Sequence, residues 1–173
     1  MTKQTVTSAN TSINKSKMPA IYGKIRVDME RVLDYGCGRY TEHLYNFCKS
    51  NYAAFFPYDP YNQPQWKNEI SCKLLKENPA TVGIMSNVLN VIDSEDAIKD
   101  AIEHAVSMIR ADRFLYITIY EGDRSGVGKY TSKDSYQRNM RTKDYIPMLV
   151  KMGFLVEYWH GMILVAGKAV KAA

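Results

Sequence analysis

The chain has 173 residues, 46% of them hydrophobic, and a formal net charge of +5. That length suits one domain with a substantial core, and no window approaches ~18 uninterrupted apolar residues, so no membrane span is expected. The basic balance suits an anionic partner, such as nucleic acid or a phosphorylated metabolite, as well as it suits plain solubility.

The opening stretch, MTKQTVTSANTSINKSKMPA, lacks the apolar segment of a secretory signal. It is rich in Thr, Ser, Asn and Lys, so residues 1–20 read as a flexible basic arm and 21–173 as the domain. RVLDY (31–35) is a short apolar strand. TEHLYNFCKSN (41–51) carries Leu44, Phe47 and Cys48 at helical spacing. YAAFFPYD (52–59) is a second strand. After a turn marked by Pro60, Asn62 and Pro64, EISCK reads as a weak third strand and TVGIMSN (81–87) as a fourth.

SEDAIKDAIEHAVSMIR (94–110) is the clearest helix. Asp93 or Ser94 can cap it, and Glu95 and Asp96 sit in its first turn, where the helix dipole favours them. RFLYITIY (113–120) is a fifth strand. The loop EGDRSGVGKYTSKDSYQRNM (121–140) is polar, and Gly126 and Gly128 give it the mobility of a lid. RTKDYIPMLVKMG (141–153) is a helix in which Pro147 marks a kink or a late start. FLVEYWH and MILVAGKAV close the chain as antiparallel neighbours joined at His160-Gly161.

Alternating strands and helices imply a parallel sheet covered on both faces, and the final pair makes it mixed. In such sheets the ligand sits at the carboxyl ends of the strands, where strand order reverses. Gly36 and Gly38 fall there, at the end of the first strand. Thr41 takes the place of the last glycine of a dinucleotide fingerprint, and no P-loop pattern occurs. Asp34 stands just ahead of the glycines, where a carboxylate repels a pyrophosphate and welcomes a cationic group. Asp59, at the end of the second strand, can accept two hydrogen bonds from a ribose diol. These residues ask for a ribose and a cation without phosphate, and S-adenosylmethionine has those parts.

Over about residues 30–168 the chain resembles the class I S-adenosylmethionine-dependent methyltransferases. The match rests on D-Y-G-C-G, Asp59 and SNVLNVI in order, followed by the long helix and the terminal strand pair. The resemblance implies a three-layer Rossmann-like α/β sandwich whose mostly parallel seven-stranded sheet has an antiparallel C-terminal strand. It implies cofactor contacts from Asp34, Tyr35, Gly36, Cys37 and Gly38 at the methionine end, and from Asp59, Pro60 and Tyr61 at the ribose and adenine. Ser86, Asn87 and Val88 would pass under the sulfonium. Two departures stand out. Tyr40 occupies the place of a frequent third glycine, and the ISCK segment offers no third-strand acid.

The acceptor is less legible. No [DNS]-P-P-[YF] box and no Pro-Cys nucleophile occur, so base methylation of those kinds is unsupported. A small molecule or a nucleotide-like acceptor is expected. A nucleic-acid-associated enzyme relying on a partner for specificity, or a non-catalytic cofactor-binding protein, are the alternatives. Arg124, Tyr136, Gln137, Arg138 and Asn139 are candidate acceptor contacts. No catalytic base is assigned, since positioning and desolvation can suffice for methyl transfer. His43 reads as a packing residue, His104 as solvated and His160 as a turn residue; they do not cluster, so no metal is expected. The three cysteines form no C-x-x-C pair and read as free thiols of a reducing cytoplasm. Tyr35, Tyr40, Tyr58 and Tyr61 are expected to gather near the cofactor.

Overall fold

The inner strands are runs of apolar residues, and successive side chains point to opposite faces of the sheet, which sorts them into two cores. The computed structural model describes residues 4–11 and 15–167. Residues 1–3 and 12–14 of the expected arm, and residues 168–170 of the expected last strand, lie outside it. The central strands are β1 (Arg31–Tyr35), β2 (Ala54–Tyr58), β3 (Val82–Ser86), β4 (Phe114–Thr118), β7 (Val156–Trp159) and β8 (Met162–Ala166). They form one six-stranded sheet in the order β2-β1-β3-β4-β8-β7, with β8 alone running against the others.

Leu33, Met85, Leu115, Ile117, Ile163 and Val165 face one core. Against that face pack α2 (Gln65–Glu77), α3 (Glu95–Ser107) and α4 (Tyr145–Lys151). Val32, Ile84, Met162 and Leu164 face the other, covered by α1 (Glu42–Ser50) and by the 3-10 turn Ala20–Gly23. The expected three-layer arrangement results. Ser94 caps α3 through its hydroxyl, which accepts from Ala97 N at 3.3 Å. Pro147 falls in the first turn of α4, where a missing N–H costs no helical bond, so the proline marks a late start. His160 (φ 46°) and Gly161 (φ 81°) make the two-residue turn between β7 and β8.

The sheet has six strands where seven were expected, because EISCK belongs to α2. Its buried face is Asn68, Ser71 and Leu75, while Ile70 and Leu74 are exposed, so the apolar periodicity of a helix is hidden. The polar pair on that face has a purpose. Asn68 Nδ2 donates to Asp59 O at 2.9 Å, and Asp59 N donates to Asn68 Oδ1 at 3.0 Å. Ser71 Oγ donates to Pro57 O at 2.8 Å. Residues 57 and 59 turn their backbone groups to the open edge of β2, so two side chains of α2 satisfy what a third strand would have paired. Pro57 itself is tolerated because an edge strand needs no outward N–H.

The expected lid loop also contains structure. β5 (Lys129–Ser132) and β6 (Ser135–Gln137) form a small antiparallel hairpin standing over the carboxyl ends of the main strands.

Candidate active site

A cavity of about 860 Å³ opens at the carboxyl ends of β1 and β3, where strand order reverses. Its floor is the glycine loop after β1. Gly36 and Gly38 have φ of 77° and 76°, a region that favours glycine. A Cβ on Gly36 would lie 2.3 Å from Val88 Cγ2, so the loop and the segment after β3 pack in direct contact. The amides of this loop face the protein. Gly36 N and Cys37 N donate to Tyr58 O at 2.7 and 3.3 Å, and Gly38 N donates to an Asp59 carboxylate oxygen at 3.0 Å. None of the three is left to cradle a phosphate.

Asp59 lines the cavity and is 6% exposed. One of its oxygens accepts from the amides of Tyr61 and Asn62, both at 2.9 Å. The other accepts from Gly38 N and, at 3.2 Å, from Asn62 Nδ2. These bonds fill the four lone-pair sites of a carboxylate. Asp59 therefore clamps the glycine loop to the loop after β2. Gln63 Nε2 adds a second tie, donating to Gly38 O at 2.6 Å. Asn62 Oδ1, beside the clamp, is buried without a hydrogen-bond partner.

Asp34 is 3% exposed and stands behind the wall of the cavity; Tyr22 Oη donates to it at 2.8 Å. Burial pushes its carboxyl up to about 7, the Asp59 charge adds to the rise, and the Tyr22 hydrogen bond opposes it. The other expected cofactor residues, Tyr35, Gly36, Cys37, Gly38, Asp59, Pro60, Tyr61, Ser86, Asn87 and Val88, all lie on the wall. Asn87 has φ 57° and is tied by its amide to Thr118 O at 2.8 Å. Burial raises the Cys37 thiol well above its ordinary range, so it is an inert part of the wall.

Of the expected acceptor residues, Tyr136, Gln137 and Asn139 reach the wall and Arg124 and Arg138 do not. Arg124 pairs with Glu121 at 2.8 Å. Arg138 Nη2 donates to Ile92 O at 2.9 Å. A directed chain runs through the amides: Gln137 Nε2 donates to Tyr120 O at 3.1 Å, and Asn90 Nδ2 donates to Gln137 Oε1 at 3.0 Å. Tyr120 O can only accept, which fixes both amide orientations and leaves Asn90 Oδ1 buried and unpartnered.

The tyrosines divide. Tyr35 and Tyr61 line the cavity. Tyr58 stacks on Tyr35 at 4.7 Å, and Tyr40 lies off the wall with the Lys15 ammonium 5.9 Å from its ring centre. His104 is half-buried, contrary to the solvated place expected of it. Its Nδ1 is 3.2 Å from Tyr35 Oη, and burial lowers its pKa. The α3 stripe predicts only which face is apolar, and His104 sits at its margin against β1. His43 is half-buried on α1, with neither ring nitrogen hydrogen-bonded.

The wall has members that sequence reasoning missed. Gln4, Thr7, Ser8 and Thr11, from the expected flexible arm, lie on it, as do Asn62, Asn90 and Asp100. Nothing in a polar, low-complexity arm marks it as part of a site. Among the described lining residues there is no Lys, Arg or His, although the chain is basic overall. Among the described residues no helix is long and apolar enough to cross a membrane, and no group of three or more His, Cys, Asp and Glu could hold a metal.

No protein-family model matches the chain, and no curated relative matches it in sequence. Solved structures do. One is 1,6-didemethyltoxoflavin-N1-methyltransferase of Burkholderia thailandensis, with bound 1,6-didemethyltoxoflavin and S-adenosylhomocysteine. It is 16% identical, with a TM-score of 0.54, over 91% of this chain and 74% of that one. Another is an S-adenosylmethionine-dependent methyltransferase from Mesorhizobium loti, 8% identical, with a TM-score of 0.44, over 84% of this chain and 94% of that one. The likeness to the Burkholderia structure shows that the chain has the fold of the class I S-adenosylmethionine-dependent methyltransferases, with helix α2 in place of the strand expected at EISCK.

Proposed function

We propose that the chain is an S-adenosylmethionine-dependent methyltransferase whose acceptor is a small polar molecule without phosphate. The observation that carries this is the charge pattern of the cavity. Its described wall holds Asp59, Asp100 and Asp123, the last ion-paired with Lys129 at 2.9 Å, and no cationic side chain, and the glycine-loop amides are all used internally. A phosphate entering such a space would lose its water and gain no donor of matching charge. A cationic cofactor meets the opposite situation.

The residues fit S-adenosylmethionine. The volume lies within the ~300–1,000 Å³ usual for small-molecule sites. The fold places the space at the switch point, with Asp59 on its wall and the Asp34 carboxyl buried behind it. Bound there, S-adenosylmethionine supplies an electrophilic methyl group on a sulfonium. Gly36, Cys37 and Gly38 would carry its methionine end, Pro60 and Tyr61 its adenine side, and Ser86, Asn87 and Val88 the segment beneath the sulfur. Asp59 acts first by holding the glycine loop. The amide chain of Asn90 and Gln137, with Tyr136 and Asn139, would orient the acceptor and exclude water, which raises the rate through positioning.

The small-molecule neighbour from Burkholderia thailandensis supports this choice of acceptor class. A nucleic-acid acceptor fits less well, because Arg124 and Arg138 both lie off the described cavity wall. Calorimetric titration with S-adenosylmethionine, S-adenosylhomocysteine and NAD tests the reading. We expect micromolar binding of the first two and none of the third. No binding of either sulfur ligand at millimolar concentration refutes the cofactor. Tight, salt-dependent nucleic-acid binding that changes with S-adenosylhomocysteine refutes the acceptor class.

A further inference from the structure

The segment Gln4–Thr11 is tied to the domain by a set of hydrogen bonds, and those bonds are gathered around the cavity. Ser8 is the centre of the set. It is 3% exposed, the one buried residue of the segment, and has φ 51°. Its hydroxyl donates to Val91 O at 3.3 Å and accepts from Tyr136 N at 3.1 Å. Its amide donates to Asp134 O at 3.0 Å. One residue thus joins the loop after β3 to the turn of the β5–β6 hairpin, through its amide, and to the middle of β6, through its hydroxyl. On one side of it, Thr5 N donates to the Asp93 carboxylate at 3.0 Å, and on the other Thr11 Oγ1 donates to Ser8 O at 2.6 Å. Further along the chain Lys15 lies over Tyr40, beside the glycine loop.

We propose that Gln4–Thr11 is a strap that completes the acceptor wall of the cavity, with Ser8 as its positioning residue, and that it lifts to admit and release ligand. Gln4, Thr7 and Thr11 then present side-chain amide and hydroxyl groups to the acceptor. A strap held by hydrogen bonds, with a single buried residue, opens at far lower free energy than the sheet beneath it. Tyr40, where a glycine is frequent in the family the chain resembles, has a role on this account: its ring faces the ammonium of Lys15. The ligand's identity rests on the methyltransferase reading above; the strap itself does not.

The experiment uses the full chain, Ser8→Gly and a variant lacking residues 1–11. Glycine keeps the left-handed backbone of position 8 free of strain while removing the hydroxyl. In ligand-free full-length protein, amide exchange by NMR should show Ser8 and Thr11 protected, with Ser8→Gly losing that protection. Stopped-flow fluorescence with S-adenosylhomocysteine should show dissociation about 10-fold faster for the deletion and about 3-fold faster for Ser8→Gly, with urea midpoints close to wild type. Unprotected Ser8 and Thr11 amides in the full chain overturn the proposal. Dissociation rates within two-fold of wild type in both variants overturn it as well. If S-adenosylhomocysteine fails to bind while the two amides are protected, the strap stands and the cofactor assignment falls.

Discussion

Asp59→Asn tests whether this carboxylate is a clamp or a ligand acceptor. The substitution keeps one oxygen, which can still accept from the amides of Tyr61 and Asn62. It places an NH₂ group where the other oxygen accepts from Gly38 N and Asn62 Nδ2. Two donors then face a donor. Hydrogen bonds to a charged group contribute about 1.5–3 kcal/mol each, so the gross loss is roughly 3–6 kcal/mol. Water in the adjoining cavity can reach part of the freed groups, which leaves about 2–4 kcal/mol. For a chain of this length that is a drop of roughly 10 °C in melting temperature. Urea and thermal unfolding measure the loss, and calorimetry with S-adenosylhomocysteine runs beside them. Asn62→Ala is the control, since it removes only the Asn62 Nδ2 bond of the pair and should cost about half as much. Unchanged stability with lost affinity would refute the clamp and return Asp59 to the ribose.

Gly36→Ala should destabilise by about 2–4 kcal/mol and abolish S-adenosylhomocysteine binding, because φ is 77° and the new methyl meets Val88. Adding Val88→Ala should restore part of that stability, the backbone strain remaining, as a double-mutant cycle in urea would show. Asp34 holds its proton more tightly folded, at about 7, than unfolded, near 3.8. Its contribution to stability is therefore full below about pH 4 and lost as pH rises through about 7, a change on the order of 4 kcal/mol. Asp34→Asn should flatten that part of the stability profile in urea titrations at pH 5 and pH 8; an identical slope would refute it. Ser94→Ala should cost about 1 kcal/mol of unfolding free energy through the lost α3 cap, with ligand affinity unchanged.

Local rules account for the elements that sequence alone determined. The short apolar strands, the capped amphipathic α3, the late start of α4 at Pro147 and the His160-Gly161 turn each depend on neighbours within a few residues, so they could be read from the chain. The glycine loop and its place at the end of β1 were legible for the same reason. Tertiary structure decided the rest. α2 looked like a strand because its buried face is polar, and that face is polar because Asn68 and Ser71 serve the backbone of β2, nine to fourteen residues away. Asp59 could be placed at a strand end, but only the fold shows its lone pairs filled by the neighbouring loops. Net charge suited an anionic partner and plain solubility equally, whereas the described cavity wall has no cationic side chain, since composition carries no information about where charges lie. Ser8 reaches Tyr136 across 128 positions. A polar segment with no periodicity cannot announce such a contact, which exists only once the hairpin and the loop after β3 stand side by side.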